Sequence, residues 1–445
     1  MDGHFWPILM LIGLIAGIFS GYPVAFVLAG IGVSFAVLAD LPMLFLSMGV
    51  QRIYSGVLTN WLLVAIPLFV FMGLMLERSG VAERLLTSLA ALFRGLPGGY
   101  AFAVAIIGVV MAASTGIIGA SVVLMGMMAL PAMRANGYDM RLSSGLIAAS
   151  GTLGILIPPS IMLIILGDQL RISVGDLFMG ALGPGLMLGG LYTLFIIAVA
   201  IFAPHRMPAP ERSMEGQTFW RTLWALTRDL VAPVALIAAV LGTIIMGVAT
   251  PTESAAIGAG GALLLALLSR RLTVRALRDA LRDTTKTTAM IVFVMIGATI
   301  FSVVFRRLGG DAMVEQIFRV DQANPYIVLL AIMALIFLLG FFLEWVEITL
   351  VVVPIVAPVI LALDFGMPSD QVLVWFAIAL AVNLQTSFLT PPFGYALFYL
   401  RGIARDLPIT TIYRGVLPFV GIQLLALALV LAFPQIVLWI PLAVR

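Results

Sequence analysis

The feature that most limits what this chain can fold into is a set of long apolar runs interrupted by proline and glycine rather than by charge. The runs occupy 5–39, 60–76, 99–133, 142–167, 177–203, 231–268, 287–305, 326–363, 371–400 and 415–441. A helix crosses the hydrocarbon of a bilayer in about 20 residues, so the longest runs must turn within themselves. Breaks fall at Gly21-Tyr22-Pro23, Ile157-Pro158-Pro159-Ser160, Thr250-Pro251-Thr252 and Thr390-Pro391-Pro392. Each proline removes a backbone donor and displaces the preceding turn. Lipid cannot satisfy the polar groups so freed, which must face protein, water or bound ions. Only 10% of the residues are charged and 62% are hydrophobic, against about 25% charged in a soluble domain. The expected class is an all-α polytopic membrane protein embedded in a lipid bilayer.

Charge narrows the function classes. The net charge is +3, and Lys286 is the single lysine among many arginines. The basic residues cluster between apolar runs, as membrane-flanking segments do, and form no nucleic-acid face. The chain has no cysteine, which excludes disulfides and thiolate chemistry. His4 and His205 lie near run ends and read as loop residues, not as a metal site. Met1 to His4 holds no Lys or Arg, so the first run reads as a retained span and not a cleaved signal.

The one long polar linker, 204–229, lies near the midpoint and invites a search for duplication. Pro23 matches Pro251 at an offset of 228 (251 minus 23), Gly80 matches Gly309 at 229, Pro131 matches Pro358 at 227, and Pro158-Pro159 match Pro391-Pro392 at 233. Two halves are therefore expected, 1–203 and 230–445. Segment 40–60 carries one basic residue, Arg52, whereas 270–286 carries six. By the positive-inside rule the loop 270–286 is cytoplasmic and 40–60 is not, which makes the repeat inverted and leaves the N-terminus periplasmic.

Polar residues recur inside the apolar runs at matching places. The first half has Ser114, Thr115, Gly116 and Ser121, expected as the tip of a re-entrant hairpin near 112–133, and a broken helix near 142–167 with Gly151, Thr152 and Ser160. The second half has Glu344, Glu347 and Thr349 in a hairpin near 340–363, and a broken helix near 371–400 with Thr386, Ser387 and Thr390. Unwound carbonyls and Ser/Thr hydroxyls are oxygen ligands suited to sodium. A helix restarting after Pro-Pro presents free N–H groups and a partial positive charge, which suits a carboxylate. Plain kinks at the proline pairs, and small residues placed for close helix packing, are the blander readings. Glu253 fits a structural acid at the start of the helix after Pro251 as well as it fits an intramembrane charge. Arg171, Arg401 and Arg405 read as membrane-edge anchors.

Three stretches together make the chain resemble the large membrane subunit of tripartite ATP-independent periplasmic (TRAP) transporters. They are Gly247 to Ala256, with Thr250-Pro251-Thr252-Glu253 at its centre, Gly151 to Ser160, and Leu389 to Gly394. The resemblance implies an elevator-type inverted repeat, uptake driven by sodium and not ATP, and an organic-acid substrate. It also implies two partners: a soluble periplasmic substrate-binding protein and a small four-helix membrane subunit on a separate chain, all at the bacterial inner membrane. Carried over, one sodium site would use Ser114, Thr115 and Gly116 with Gly151 and Thr152. The other would use Glu344, Glu347 and Thr349 with Thr386, Ser387 and Thr390. Ser121, Pro158, Pro159, Ser160, Pro391 and Pro392 would lie nearest the substrate, and Pro23, Thr250, Pro251, Thr252 and Glu253 would be structural. Two features depart from the family pattern: the first tip reads Ser114-Thr115-Gly116-Ile117-Ile118-Gly119, and the second holds two acids and Trp345. The rival reading is a stand-alone sodium- or proton-coupled antiporter of the same superfamily. An intramembrane enzyme lacks a catalytic dyad, and no Gly-x-x-x-x-Gly-Lys-Ser/Thr is present for a pump.

Overall fold

A computed structural model describes residues 5–93, 95–116, 118–209, 219–318 and 324–444; of Ser114 and Thr115 it describes the backbone alone. The described residues are helical and contain no strand. Nine of the helices are long and apolar enough to cross a membrane, counted among the described residues.

The first half holds α1 (Phe5–Phe19), α2 (Val24–Leu38), α3 (Met43–Ile53), α4 (Ala65–Arg78), α5 (Val81–Leu92), α6 (Gly99–Thr115), α7 (Ile118–Ala135), α8 (Met140–Thr152), α9 (Ile161–Leu170) and α10 (Val174–Phe202). The second holds α11 (Phe219–Ile245), α12 (Pro251–Leu268), α13 (Val274–Arg307), α14 (Gly310–Phe318), α15 (Pro325–Leu339), the single turn α16 (Trp345–Glu347), α17 (Val353–Ala362), α18 (Ser369–Leu389), α19 (Tyr395–Ile403), α20 (Ile409–Ala432) and α21 (Gln435–Val444). The chain breaks where proline and glycine require it. Gly21, at φ +79°, and Pro23 separate α1 from α2. Pro251 opens α12, behind a capping box in which the Thr250 amide donates to Glu253 Oε2 at 2.8 Å and the Glu253 amide donates to Thr250 Oγ1 at 3.3 Å. Glu253 is exposed and serves the helix end, the structural one of its two readings.

The helices pack in pairs that recur with the halves exchanged. Helix α2 lies along α13, and α12 along α4; α8 crosses α20, and α18 crosses α10; α7 meets α19, and α17 meets α9. Such exchange is what a pseudo-two-fold axis between two copies of one motif produces. Helices α1–α5 with α11–α14 form one layer, and α6–α10 with α15–α21 form another, so each half contributes to both. Helix α18 is the centre of the second layer: its whole apolar window is buried. The crossing of α8 and α20 is the tightest joint there, because a Cβ on Gly145 would overlap the Gly415 carbonyl and one on Gly415 would overlap the Arg141 carbonyl.

Three expected boundaries shift. The first hairpin is longer than 112–133, since its entering arm α6 begins at Gly99. The polar linker does not reach 229, because α11 is helical from Phe219, with the apolar faces of Trp220 and Trp224 exposed. The segment 270–286 is a short turn followed by the first turns of α13. Its charges at 275, 278, 279, 282 and 283 recur at helical spacing and so make an amphipathic helix, not a loop. Arg78 of α4 holds that helix by pairing with Asp283 and donating to the Ala276 carbonyl, both at 2.6 Å.

Candidate functional site

The site is built where the two hairpin tips meet the two broken helices. The first hairpin turns at Gly116, whose φ of +58° lies in the left-handed region that glycine enters without a steric penalty. Gly116 sits against Ile161, the first residue of α9. Helix α8 ends at Thr152, a short 3-10 turn follows, and α9 restarts after Pro158, Pro159 and Ser160. The Ser160 hydroxyl donates to the Ile155 carbonyl at 2.7 Å across the break. The second half repeats this plan: α18 ends at Leu389, Thr390 to Gly394 are non-helical, and α19 restarts at Tyr395. Both Pro158-Pro159 and Pro391-Pro392 are cis.

The hydroxyls proposed for cation binding are held by local backbone carbonyls. Thr152 donates to Ala149, Thr386 to Val382, Thr390 to Thr386, and Ser387 to Phe337, at 2.7–2.8 Å. A hydroxyl that spends its proton this way keeps its lone pairs, so these oxygens are oriented acceptors in a buried region. Thr349 Oγ1 and Glu347 Oε2 are buried with no hydrogen-bond partner among the described residues. Both lie at the π turn that follows α16, a local irregularity that is frequent at functional sites. Gly151 is packed against Val122, whose Cγ2 would overlap an added Cβ and whose backbone would lie 3.1 Å from it, and Ser121 is buried on α7. Thr252 reaches the Trp61 carbonyl at 3.3 Å and stands with Thr250, Pro251 and Glu253 at the start of α12, while Pro23 opens α2, whose Val24 lines the cavity behind the second tip.

The structure adds residues that the motif reading passed over. Gln423 of α20 donates from Nε2 to the Thr152 hydroxyl at 3.2 Å and to the Tyr192 hydroxyl of α10 at 2.8 Å, and all three side chains are fully buried. Tyr192 also lies beside Gln385 of α18, next in sequence to Thr386. A polar cluster thus joins the Gly151–Thr152 and Thr386–Ser387 regions through the centre of the layer. A signal was present: Tyr192 and Gln423 are polar interruptions of two long apolar runs, 231 residues apart (423 minus 192), close to the repeat offset.

Between the two tips lies a cavity of about 200 Å³. Ile118 and Gly119 of the first tip, Glu344, Trp345 and Val346 of the second, and the helix starts Ile161 and Tyr395 line it. Thr287, Met290 and Ile291 of α13 close it from the other layer. A second cavity, of about 410 Å³, lies behind the second tip against α1 and α2; its walls are apolar, Phe19, Phe318 and Phe342 among them, except for Glu347.

The family described as tripartite ATP-independent periplasmic transporter, DctM component, matches this chain over residues 11–436. The sialic acid TRAP transporter large permease protein SiaM of Vibrio cholerae is 30% identical over 96% of this chain and 97% of its own length. The C4-dicarboxylate TRAP transporter large permease protein DctM of Pseudomonas aeruginosa is 30% identical over 86% of each chain. Among solved structures, the YdaH transporter of Alcanivorax borkumensis superposes with a TM-score of 0.59 over 98% of both chains at 16% identity. The all-α fold described above, with its broken helices, is therefore shared with that solved transporter structure.

Proposed function

Because the chain belongs to the family of TRAP transporter large membrane subunits, we propose that it performs sodium-coupled uptake of a small organic acid across the bacterial inner membrane. The layer of α6–α10 with α15–α21 carries cargo and ions, and it slides as an elevator against the layer of α1–α5 with α11–α14. A periplasmic substrate-binding protein delivers the cargo, and a small four-helix subunit extends the static layer. The two halves, 1–203 and 230–445, are the repeat units.

The observation that supports this reading best is the cavity between the two tips. It is bounded by the starts of α9 and α19 and closed by α13 of the other layer, so cargo held there would be covered by the static layer until the carrier moves. Its volume of about 200 Å³ is below the ~300–1,000 Å³ of drug-sized ligand sites, which suits a small cargo. Thr152, Thr386 and Thr390 offer sodium neutral oxygens oriented by their bonds to local backbone carbonyls.

The test is uptake of a panel of organic acids into proteoliposomes holding this chain and its small partner subunit, under an imposed sodium gradient, with and without the cognate binding protein. Uptake that needs both sodium and the binding protein is the expected result. Uptake that follows a pH gradient in the absence of sodium would replace the coupling ion. Uptake that ignores the binding protein would establish the stand-alone carrier instead. Thr390→Val removes one oxygen but keeps the side-chain shape, and it is expected to raise half-saturating sodium roughly tenfold, the effect of one lost charge-assisted contact. Unchanged sodium affinity would remove Thr390 from the site.

The same reading places the start of α13 in the cytoplasm. The natural chain lacks cysteine, so Arg275→Cys introduces a single label site at an exposed position. A membrane-impermeant maleimide is expected to label it in inverted vesicles and not in intact spheroplasts, with uptake little changed. The opposite pattern would invert the topology.

A further inference from the structure

The lining of the cavity between the tips combines aromatic rings with a carboxylate, which the expected organic acid alone does not account for. Trp345, Phe388, Tyr395 and Tyr399 line it together with Glu344. The Phe388 and Tyr395 rings stand at 87° with centroids 5.7 Å apart, so two walls of the cavity meet at a right angle. The Tyr399 ring lies against Gly119 of the first tip. Among the described residues, no Lys or Arg lines the cavity and Glu344 forms no ion pair. Ile161 and Tyr395, the first residues of two helices of 10 and 9 residues, also line it. Their helix starts carry partial positive charge and free N–H groups.

We infer that the cargo is a zwitterion, a small acid that also bears an alkylated ammonium or amidinium-like cation. The inference rests on the transport function proposed above and names the chemical class its cavity takes. The cargo carboxylate lies toward the start of α9. Its cationic group lies among the aromatic rings, opposite the Glu344 carboxylate. A delocalised or alkylated cation gains from the negative faces of aromatic rings, most when it is desolvated. A carboxylate in a low-dielectric site is favoured by a cationic partner, and among the described residues no Lys or Arg lines the cavity, so the cargo's own cation serves beside the helix start. A simple dicarboxylate would instead place a second negative charge near Glu344, which Coulomb repulsion disfavours.

The test compares three probes on the membrane complex in lipid nanodiscs at saturating sodium, by calorimetry and by quenching of tryptophan fluorescence. The probes are trimethylglycine, its uncharged isostere 3,3-dimethylbutyrate, and succinate. The expected result is that trimethylglycine binds at least roughly tenfold tighter than the isostere, as a desolvated cation–π contact provides, and tighter than succinate. Glu344→Gln is expected to bring the first ratio toward one, and Tyr399→Leu to lower it while leaving the carboxylate in place. Equal or tighter binding of 3,3-dimethylbutyrate or succinate, failure of all three probes to bind, or a ratio unmoved in both variants with normal elution profiles would overturn the inference. Repeating the titrations in potassium separates this outcome from failure of the sodium reading: affinities that stay the same in potassium overturn sodium coupling alone, whereas the ratio between probes tests the cargo class in either salt.

Discussion

Gly415→Val is expected to prevent the chain from accumulating as a folded membrane protein. The cause is backbone, not side-chain, contact. A Cβ at 415 would overlap the Arg141 carbonyl of α8, and the Ser144 hydroxyl lies 3.0 Å from the same point. Gly145 meets the Gly415 carbonyl reciprocally, so neither helix has a flexible side chain that can give way. The two axes would have to separate, and every residue of α8 from Leu142 to Thr152 is buried, so nothing around it can follow cheaply. Overpacking a dense interior costs roughly 1–3 kcal/mol and more where backbone is involved, while whole proteins retain only about 5–15 kcal/mol. The same helix contains its own control. Gly421 has nothing within 4 Å of its would-be Cβ, so Gly421→Ala should be neutral or mildly stabilising. Fluorescence-detected size exclusion after heating separates the two variants. A monodisperse Gly415→Val protein with an unchanged melting point would show that the crossing is looser than described.

The second large effect is expected at Gln423. Gln423→Leu removes the donor that holds both the Thr152 and the Tyr192 hydroxyls in a fully buried setting. Thr152 keeps its bond to the Ala149 carbonyl but loses the contact that fixes its free lone pair, and a buried polar group left without such a partner costs about 1–3 kcal/mol. Since tenfold in affinity corresponds to about 1.4 kcal/mol, half-saturating sodium is expected to rise roughly tenfold through the loosened Thr152. Because Tyr192 also borders Gln385 beside Thr386, the sodium dependence should also become less steep, as coupling between two ion regions is lost. Tyr192→Phe should reproduce part of this. The double variant should fall short of the sum of the single ones, the mark of residues acting in one network. Sodium curves identical in position and slope to the parent, in protein that elutes normally, would make the cluster a packing feature only.

Neither of these two expectations was legible in the sequence, because both depend on where α8 meets α20. The breaks at Pro23, Pro251, Pro158-Pro159 and Pro391-Pro392 were readable, because proline acts on its own backbone whatever the surroundings. The duplication was readable because both halves face the same lipid solvent and so retain small and polar residues at the same spacings. The helical start of α11 and the amphipathic start of α13 were missed for one reason: polarity was read as loop, although charges at helical spacing fit a helix lying at the membrane surface. The side chains of Ser114 and Thr115, the two hydroxyls expected at the first tip, lie outside the described residues.

The sequence by itself determined the class of the molecule, the places where its helices must break, and the oxygen-bearing residues at those breaks. These follow from local chemistry: apolar length against bilayer thickness, and proline against the helical hydrogen-bond ladder. Only the tertiary structure decided which broken helix faces which tip, that Gln423 and Tyr192 connect the two regions from distant helices, and that Glu344 and Glu347 open onto different cavities. Those facts depend on α8 crossing α20, and on the exchange of partners between halves. Such contacts join residues more than two hundred positions apart, and no local pattern encodes the angle at which two helices meet.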